Sequence, residues 1–294
     1  MIFSIENERL FVSVDTFGAQ LASIRSKKTN VEYLWQGDKT YWGGRAYNLF
    51  PLIGRMTNGV YTYENETYSI RLHGLARYYD FALTEQTPTS MTFTLRYDSA
   101  EDMLSQYPFR FEFSVRFSLH DNRLNVDYKV INLDSEKEMV CALGGHPGIN
   151  VPFAGGHFED YCLEFEQEGD VVHHLLSPNK FMSGKTAPYS LQDGKRIPLT
   201  HSLFYNDAMV FTSTCGTVSL KKQGENAPYV KMRYDGFKYF AVWQAIDAPF
   251  ICLEPWQAVC STDGIVDDLK TKADMTHVPP SGETTAAFSL EIED

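Results

Sequence analysis

The feature that most constrains the fold of this chain is an unbroken alternation of apolar and polar residues between positions 109 and 119. Every second residue from Phe109 to Leu119 is apolar, and each residue between them is polar or charged. After the polar triplet at 120–122 the alternation resumes and continues to Val130. Successive side chains of a strand point to opposite faces. The pattern therefore predicts a long antiparallel hairpin with one buried and one solvated face.

Much of the remaining chain also has the pattern of short strands. Segments rich in β-branched and aromatic residues are separated by turn residues, as expected for strands. The further predicted strands include residues 10–14, 20–24, 60–63, 68–72, 161–165, 171–176, 237–243 and 287–292. Helical signals occur at residues 99–102, where Ser99 could cap a short helix that Pro108 ends. No βαβ alternation is visible, so we predict an all-β fold: one large antiparallel β-sandwich with few short helices, a single domain over residues 1–294.

The net charge and the cysteine content restrict the kinds of ligand and the cellular compartment that can be expected for this protein. The formal net charge of −12 disfavours nucleic acid and anionic membranes, which both attract positively charged proteins. The five cysteines are odd in number and form no CxxC pair, which favours free thiols in a reducing compartment. No basic segment followed by a long apolar run is present at the N-terminus, so we expect neither a signal peptide nor a membrane span. These features predict a cytoplasmic protein, monomeric or homodimeric, that handles a neutral small molecule.

A histidine near the middle of the chain is placed among residues that shape the backbone. Glycines at 144, 145 and 148 surround His146, which directly precedes Pro147. A residue before proline is restricted to extended conformations. His146 is therefore expected to project from a strand end or a loop, where its imidazole could meet a ligand. The alternative is a turn in which the histidine only closes a hydrogen bond.

Glu254 occupies a similar position near the other end of the chain. It follows the apolar run at 249–253 and directly precedes Pro255. Burial of this carboxylate would raise its pKa and make it a better base. The alternative is a buried ion pair with an arginine, for example Arg55.

Other polar and aromatic residues are candidates for the same site. Arg55 and His73 follow apolar segments and lie beside glycines, and Asp207 precedes an apolar strand. Arg55 could instead form a surface salt bridge. Trp35 and Trp42, near several glycines, could form either a packed corner or a surface on which a sugar stacks. The adjacent histidines at 173 and 174 point to opposite faces of a strand, so they are poor joint ligands for one metal and are interpreted as structural.

Together these segments resemble the aldose 1-epimerase (galactose mutarotase) family, and in particular its LacX-type branch. The matching segments follow the order of the family and span nearly the whole chain: LWQG at 34–37, LFPLIGR at 49–55, HGLAR at 73–77, YPF at 107–109, GHP at 145–147, NDA at 206–208 and LEPW at 253–256.

The resemblance implies a large β-sandwich that holds a sugar on its concave face and interconverts the α and β anomers of a free aldohexose such as galactose or glucose. It implies that Glu254 is the base that removes the proton from the C1 hydroxyl, and that His146 is the acid that protonates the ring oxygen. Arg55, His73 and Asp207 are implied to bind the sugar. Trp35 and Arg77 lie in matching segments and are also expected to contact it. This chemistry needs neither a metal nor a cofactor.

The sequence departs from the family pattern around the sugar and leaves other functions open. Leu143-Gly144-Gly145 replaces an asparagine-rich segment before His146, and Gly59 stands where a second basic residue is usual. Substrate identity is therefore open. The alternatives are a mutarotase for a phosphorylated hexose, a glycoside hydrolase and a sugar-binding protein without turnover. The first would need a basic cluster drawn from Arg71, Arg77 or Lys238. The second would need Glu254 and Asp207 about 5–9 Å apart.

Overall fold

Antiparallel strands dominate the computed structural model, which describes residues 1–98 and 101–294. The strands, in chain order, are β1 (Ile2–Glu6), β2 (Leu10–Asp15), β3 (Gln20–Ser26), β4 (Ala46–Leu49), β5 (Val60–Tyr63), β6 (Glu66–Ser69), β7 (Ala82–Gln86), β8 (Ser90–Tyr97), β9 (Phe111–His120), β10 (Arg123–Asn132), β11 (Met139–Cys141), β12 (Gly144–Asn150), β13 (Tyr161–Phe165), β14 (Val171–Leu176), β15 (Met182–Tyr189), β16 (Arg196–Pro198), β17 (Met209–Thr212), β18 (Thr217–Lys222), β19 (Tyr229–Arg233), β20 (Tyr239–Trp243), β21 (Phe250–Trp256), β22 (Thr276–Val278) and β23 (Glu283–Glu293).

Two large sheets form the body of the molecule. The nine-stranded sheet has the order β16-β13-β18-β19-β23-β10-β9-β8-β7, and the seven-stranded sheet has the order β15-β14-β17-β20-β21-β12-β4. The two sheets share one apolar core, in which Phe165 of the first packs on Phe240 of the second at a ring distance of 6.2 Å. The Tyr128 hydroxyl also donates a hydrogen bond across the core to Asn48 Oδ1 at 2.9 Å. The predicted all-β antiparallel sandwich is confirmed.

The predicted hairpin is formed by β9 and β10. Leu119 pairs with Leu124 across the turn, and the residue Asp121 in that turn has a φ of 54°. Alternate residues of both strands are buried, as the sequence pattern requires. Strand β9 begins two residues later than predicted because Phe109, although buried, still belongs to the turn in which its amide bonds to Tyr107 O.

The strand pair β12 and β21 lies inside the seven-stranded sheet and is buried along almost its whole length. A Cβ added to Gly145 would lie only 2.7 Å from the Phe288 ring on β23. Gly145 therefore faces the nine-stranded sheet, and its neighbour His146 faces the opposite side. His146 lies within a strand, not at the strand end or loop that the sequence suggested. The extended backbone imposed by Pro147 is compatible with a strand.

Short helices are few, as predicted. They are α1 (Glu101–Leu104) and the 3₁₀ turns Thr57–Gly59, Ala76–Tyr78, Phe158–Asp160 and His201–Phe204. The predicted cap, Ser99, lies outside the described residues. No helix within the described ranges is long and apolar enough to cross a membrane.

Candidate active site

A cavity of about 340 Å³ lies on the side of the seven-stranded sheet that faces away from the nine-stranded sheet. This volume suits a small-molecule ligand. The predicted site residues that line it are Arg55, His73, Arg77, His146, Asp207 and Glu254. The chain thus brings together side chains from segments that are up to about 200 positions apart in the sequence.

His146 and Glu254 form the floor of this cavity. The ladder between β12 and β21 joins Gly144 to Trp256 and Gly148 to Cys252, so His146 lies across from Glu254 midway between these pairs. The distance from His146 Nε2 to Glu254 Oε2 is 3.3 Å. The side chains are only 8% and 1% exposed, so the pair is almost fully withdrawn from water.

Burial changes the protonation of both groups. Desolvation, together with the positive charge of Arg77, lowers the pKa of His146 from 6.5 to about 3. Desolvation and the negative charge of Asp207 raise the pKa of Glu254 well above its usual value. The Trp256 indole, which lies near Glu254 without the geometry of a direct hydrogen bond, opposes this shift. Burial therefore favours the neutral form of both groups.

Several polar atoms of the pair are unpartnered. Both carboxylate oxygens of Glu254 and Nδ1 of His146 are buried without a hydrogen bond to any described residue. Buried polar atoms in folded proteins normally have partners. These atoms are therefore available to a ligand with hydroxyl groups.

His73 is held in a tight turn beside the pair. It has a φ of 64°, and Gly74 has a φ of 80°. A Cβ on Gly74 would lie 2.4 Å from Phe50 O, so the turn requires glycine there. His73 Nδ1 accepts a hydrogen bond from the Gly54 amide at 3.1 Å, and burial lowers the pKa of the imidazole well below its usual value. The neutral ring therefore carries its proton on Nε2 and can donate it to a ligand.

Arg55 pairs with Asp207, whereas the sequence had suggested Glu254 as one option. Arg55 Nη1 lies 3.1 Å from Asp207 Oδ2 and donates to the Lys180 carbonyl at 3.2 Å. Asp207 has a φ of 81°, and its Oδ1 accepts the Ala208 amide. The guanidinium and the carboxylate thus form an ion pair at the wall of the cavity, although Asp207 Oδ2 has no hydrogen bond to the described residues.

The two tryptophans have different roles. Trp42 lines the cavity and stacks on His146 with a ring distance of 5.0 Å and an interplanar angle of 26°. Trp35 packs behind it on Phe250 and donates its indole N–H to the Trp42 carbonyl at 2.8 Å. Trp35, which was predicted to bind substrate, is therefore placed as a support for Trp42.

Trp42, which the sequence left open between a packed corner and a surface for a sugar, is one of the residues that line the cavity. Trp243 and Lys180 also line it, and the sequence did not single them out as site candidates. The glycines at 43–44 marked Trp42 in the sequence. Lys180 lies in an ordinary polar turn and has no such signal.

The adjacent histidines at 173 and 174 are placed away from the cavity lining. His174 Nε2 shares a hydrogen bond with Thr212 Oγ1 at 2.9 Å, and His173 packs on Phe211. These contacts agree with the structural role predicted for them.

Comparison with known proteins supplies the family. Residues 1–260 match the model of the family described as aldose 1-epimerase. The chain belongs to the aldose 1-epimerase family. It is 31% identical over 303 residues to the plasmid and chromosomal LacX proteins of Lactococcus lactis subsp. lactis, with 99% of each chain covered.

Solved structures give the same result for this aldose 1-epimerase family member. It is 31% identical to a galactose mutarotase related enzyme from Lactobacillus acidophilus, with a TM-score of 0.92 over 100% of this chain and 98% of the other. It is also 31% identical to a galactose mutarotase-like protein from Lactobacillus casei ATCC 334, with a TM-score of 0.93 and both chains fully covered.

The arrangement in this family member suits proton transfer. A carboxyl oxygen and an imidazole nitrogen lie 3.3 Å apart at the floor of a cavity, without the geometry of a direct hydrogen bond. A donor on His73 and an Arg55–Asp207 pair surround them. Such a set can remove a proton from one oxygen of a bound molecule and supply a proton to another.

Proposed function

We propose that this protein is an aldose 1-epimerase (mutarotase) that interconverts the α and β anomers of a free aldohexose such as galactose or glucose. The observation that carries the proposal is the buried pair of Glu254 and His146, whose reacting atoms are 3.3 Å apart and otherwise poorly partnered. Burying two titratable groups with few hydrogen bonds lowers the stability of the fold, because desolvation disfavours their charged forms. It is suited to acid–base chemistry on a ligand that completes its hydrogen bonds.

In the proposed mechanism Glu254 is the base and His146 is the acid. The pair holds one shared proton, which burial places on the carboxyl group while the cavity is empty. A bound sugar donates hydroxyl hydrogen bonds to Glu254 and so favours its ionised form. The proton then resides on His146. Glu254 takes the proton of the C1 hydroxyl while His146 protonates the ring oxygen, and the C1–O5 bond breaks.

The open-chain aldehyde allows rotation about the C1–C2 bond. Ring closure on the other face of C1 returns the ring-oxygen proton to His146 and gives the proton of Glu254 to the new C1 hydroxyl. Each proton transfer of this kind typically contributes about 10²–10⁴ in rate. The proton count of the pair is the same before and after turnover, as an isomerisation requires.

The surrounding residues are proposed to hold the sugar in place. The Nε2–H of His73 can donate to the ring oxygen or to a hydroxyl, and the Arg55–Asp207 pair offers both donors and acceptors to hydroxyls. Trp42 and Trp243, which line the cavity, supply apolar surface beside the sugar ring.

A second candidate, a mutarotase for a phosphorylated hexose, is favoured by one observation. Arg77 stacks over the Tyr47 ring at 3.6 Å, and neither it nor the cavity residue Lys180 has a carboxylate partner among the described residues. Two uncompensated cations in the cavity of a protein with net charge −12 would attract an anionic sugar. Lys238, also considered for this role, is paired with Asp274.

The test is the rate of anomer interconversion, measured by polarimetry or NMR on freshly dissolved α-galactose, α-glucose and their 6-phosphates. Wild type is expected to accelerate at least one of these sugars, and His146→Ala and Glu254→Ala are expected to fall to the uncatalysed rate. Glu283→Ala, which removes an exposed carboxylate, is the matched control and should retain wild-type activity. A faster reaction of the phosphates would favour the second candidate.

One outcome would overturn the proposal. If wild type binds these sugars without accelerating any of them, the protein is a carbohydrate-binding protein and the acid–base assignment is wrong.

A further inference from the structure

A third chemically reactive side chain lies beside the acid–base pair. His146, Cys252 and Glu254 each offer one potential ligand atom, and these atoms all lie within 4.8 Å of one another. All three side chains are buried. Ring opening as proposed above uses only His146 and Glu254, so the thiol has no assigned role.

Strand geometry explains why the three groups converge. Cys252 and Glu254 are two residues apart on β21, so their side chains point to the same face. His146 on the neighbouring strand β12 lies across from Glu254, two residue pairs from the Gly148–Cys252 pair and on the same face of the sheet. Gly148 has no side chain to separate the thiol from the imidazole.

We propose that His146, Cys252 and Glu254 form a Zn²⁺ site, and that bound Zn²⁺ switches the enzyme off. Zinc is bound in proteins by thiolate, imidazole and carboxylate groups at about 2.0–2.3 Å. A tetrahedral ion with these bond lengths has ligand atoms about 3.3–3.8 Å apart. The observed His146–Glu254 separation of 3.3 Å already matches, and the thiol needs only a small side-chain adjustment. The fourth position faces the cavity.

The charge balance suits a buried site. Burial favours the protonated thiol of Cys252 and the neutral forms of Glu254 and His146, so the metal-free cluster has no net charge. When Zn²⁺ binds, both protons leave, and the thiolate and carboxylate together neutralise the ion. The cluster is neutral in both states, so metal binding does not bury a net charge.

The inhibition follows from the ligands. A metal bound to Nε2 of His146 and to an oxygen of Glu254 occupies the two atoms that would move protons. This consequence rests on the proposed function, whereas metal binding itself does not depend on it.

The first experiment measures binding without activity. The protein is freed of metal with a chelator and titrated with Co²⁺, whose thiolate complexes have a charge-transfer absorption in the near ultraviolet. Wild type is expected to develop this absorption at one equivalent and to lose it when Zn²⁺ is added. Cys252→Ala should show none, and Cys252→Val, which keeps apolar bulk in the strand, serves as a second variant. His146→Ala should bind more weakly.

Cys260→Ala is the matched control, because Cys260 also lines the cavity but does not belong to the cluster. It should keep the absorption. The absence of a charge-transfer band in wild type, or its persistence in both Cys252 variants, would overturn the site.

The second experiment measures inhibition. Anomer exchange is followed at buffered Zn²⁺ concentrations, and each variant is scaled to its own metal-free rate. Wild type should lose activity as Zn²⁺ rises and recover it with EDTA, while Mg²⁺, which prefers oxygen ligands, should have no effect. In Cys252→Ala the inhibitory Zn²⁺ concentration should rise by at least about tenfold.

Equal Zn²⁺ inhibition of wild type and both Cys252 variants would contradict the proposal. If metal-free wild type has no epimerase activity, the proposed function fails, and the Co²⁺ titration still decides the metal site.

Discussion

Two antiparallel strand pairs of this molecule bury their side chains for different reasons. The hairpin of β9 and β10 buries mainly apolar residues on its inner face. Its buried Tyr128 hydroxyl has acceptors on both Asn48 and Gly144. The pair of β12 and β21 buries His146 and Glu254 instead, and Nδ1 of His146 and both Glu254 oxygens lack hydrogen bonds from the part of the chain that the structure describes.

The difference separates stability from function. Burial of apolar side chains stabilises a fold, and a buried polar group adds little unless it is hydrogen-bonded. The hairpin satisfies both conditions. The site-bearing pair does not, so its polar residues are expected to be neutral or unfavourable for stability and essential for activity.

The largest expected effect lies in the site-bearing pair. Glu254→Gln and His146→Gln should each lower the rate of anomer interconversion by about 10²–10⁴-fold. The double variant should be little worse than either single variant, because the two groups transfer protons as one unit. Polarimetry on all three variants and wild type tests this. Additive losses would mean that the residues act independently.

The hairpin should respond in the opposite way. Phe117 is 1% exposed on β9. Its replacement by alanine should lower the free energy of unfolding by about 3–5 kcal/mol. The rate per folded molecule should remain that of wild type, because Phe117 does not line the cavity. Urea unfolding and anomer exchange on the same preparation measure both quantities. A large loss of rate in the folded state would show that the two regions are coupled.

A smaller effect is expected from the turn that supports the pair. His73→Ala removes the Nε2–H donor and should reduce kcat/KM by the equivalent of about 1–3 kcal/mol. His174→Ala is the control, since His174 bonds to Thr212 away from the cavity lining. Steady-state kinetics on the preferred sugar provide the comparison. Equal losses in the two variants would indicate a general packing effect.

The last effect concerns the pH dependence of stability, where the change is small per pH unit and is spread over several units. The pKa of His146 is about 3 when folded and near 6.5 when unfolded. Between these values the unfolded state binds more protons, so this residue makes wild type less stable as the pH falls. The stability of wild type relative to His146→Gln should therefore decline on acidification from pH 6.5, by at most about 1.4 kcal/mol per pH unit. Urea unfolding at several pH values measures it, and a constant difference would contradict the low folded pKa.

The sequence was sufficient for those features that depend on local periodicity. The alternation in residues 109–130 predicted the hairpin, and the scarcity of helical patterns predicted the fold class. Proline after His146 and after Glu254 indicated that both residues would be extended. These features are set by side-chain direction and backbone restriction, which act over a few residues.

Features that depend on strand pairing and packing could not be predicted in this way. Nothing in the sequence distinguishes Trp35 from Trp42, since both rings pack on Phe250 in the folded chain and Trp42 is the one that lines the cavity. The partner of Arg55 depends on the position of Asp207 in a separate turn. The proximity of Cys252 to His146 depends on the register between β12 and β21, which are about 100 residues apart in the chain.

The most direct test of the account is one measurement on Glu254→Gln beside wild type: exchange NMR of the sugar anomers, with urea unfolding of the same samples at neutral pH. The account predicts that exchange slows by about 10²–10⁴-fold while the unfolding free energy stays equal to that of wild type or increases. Retained exchange, or a loss of several kcal/mol of stability, would contradict it, because Glu254 would then be a structural residue.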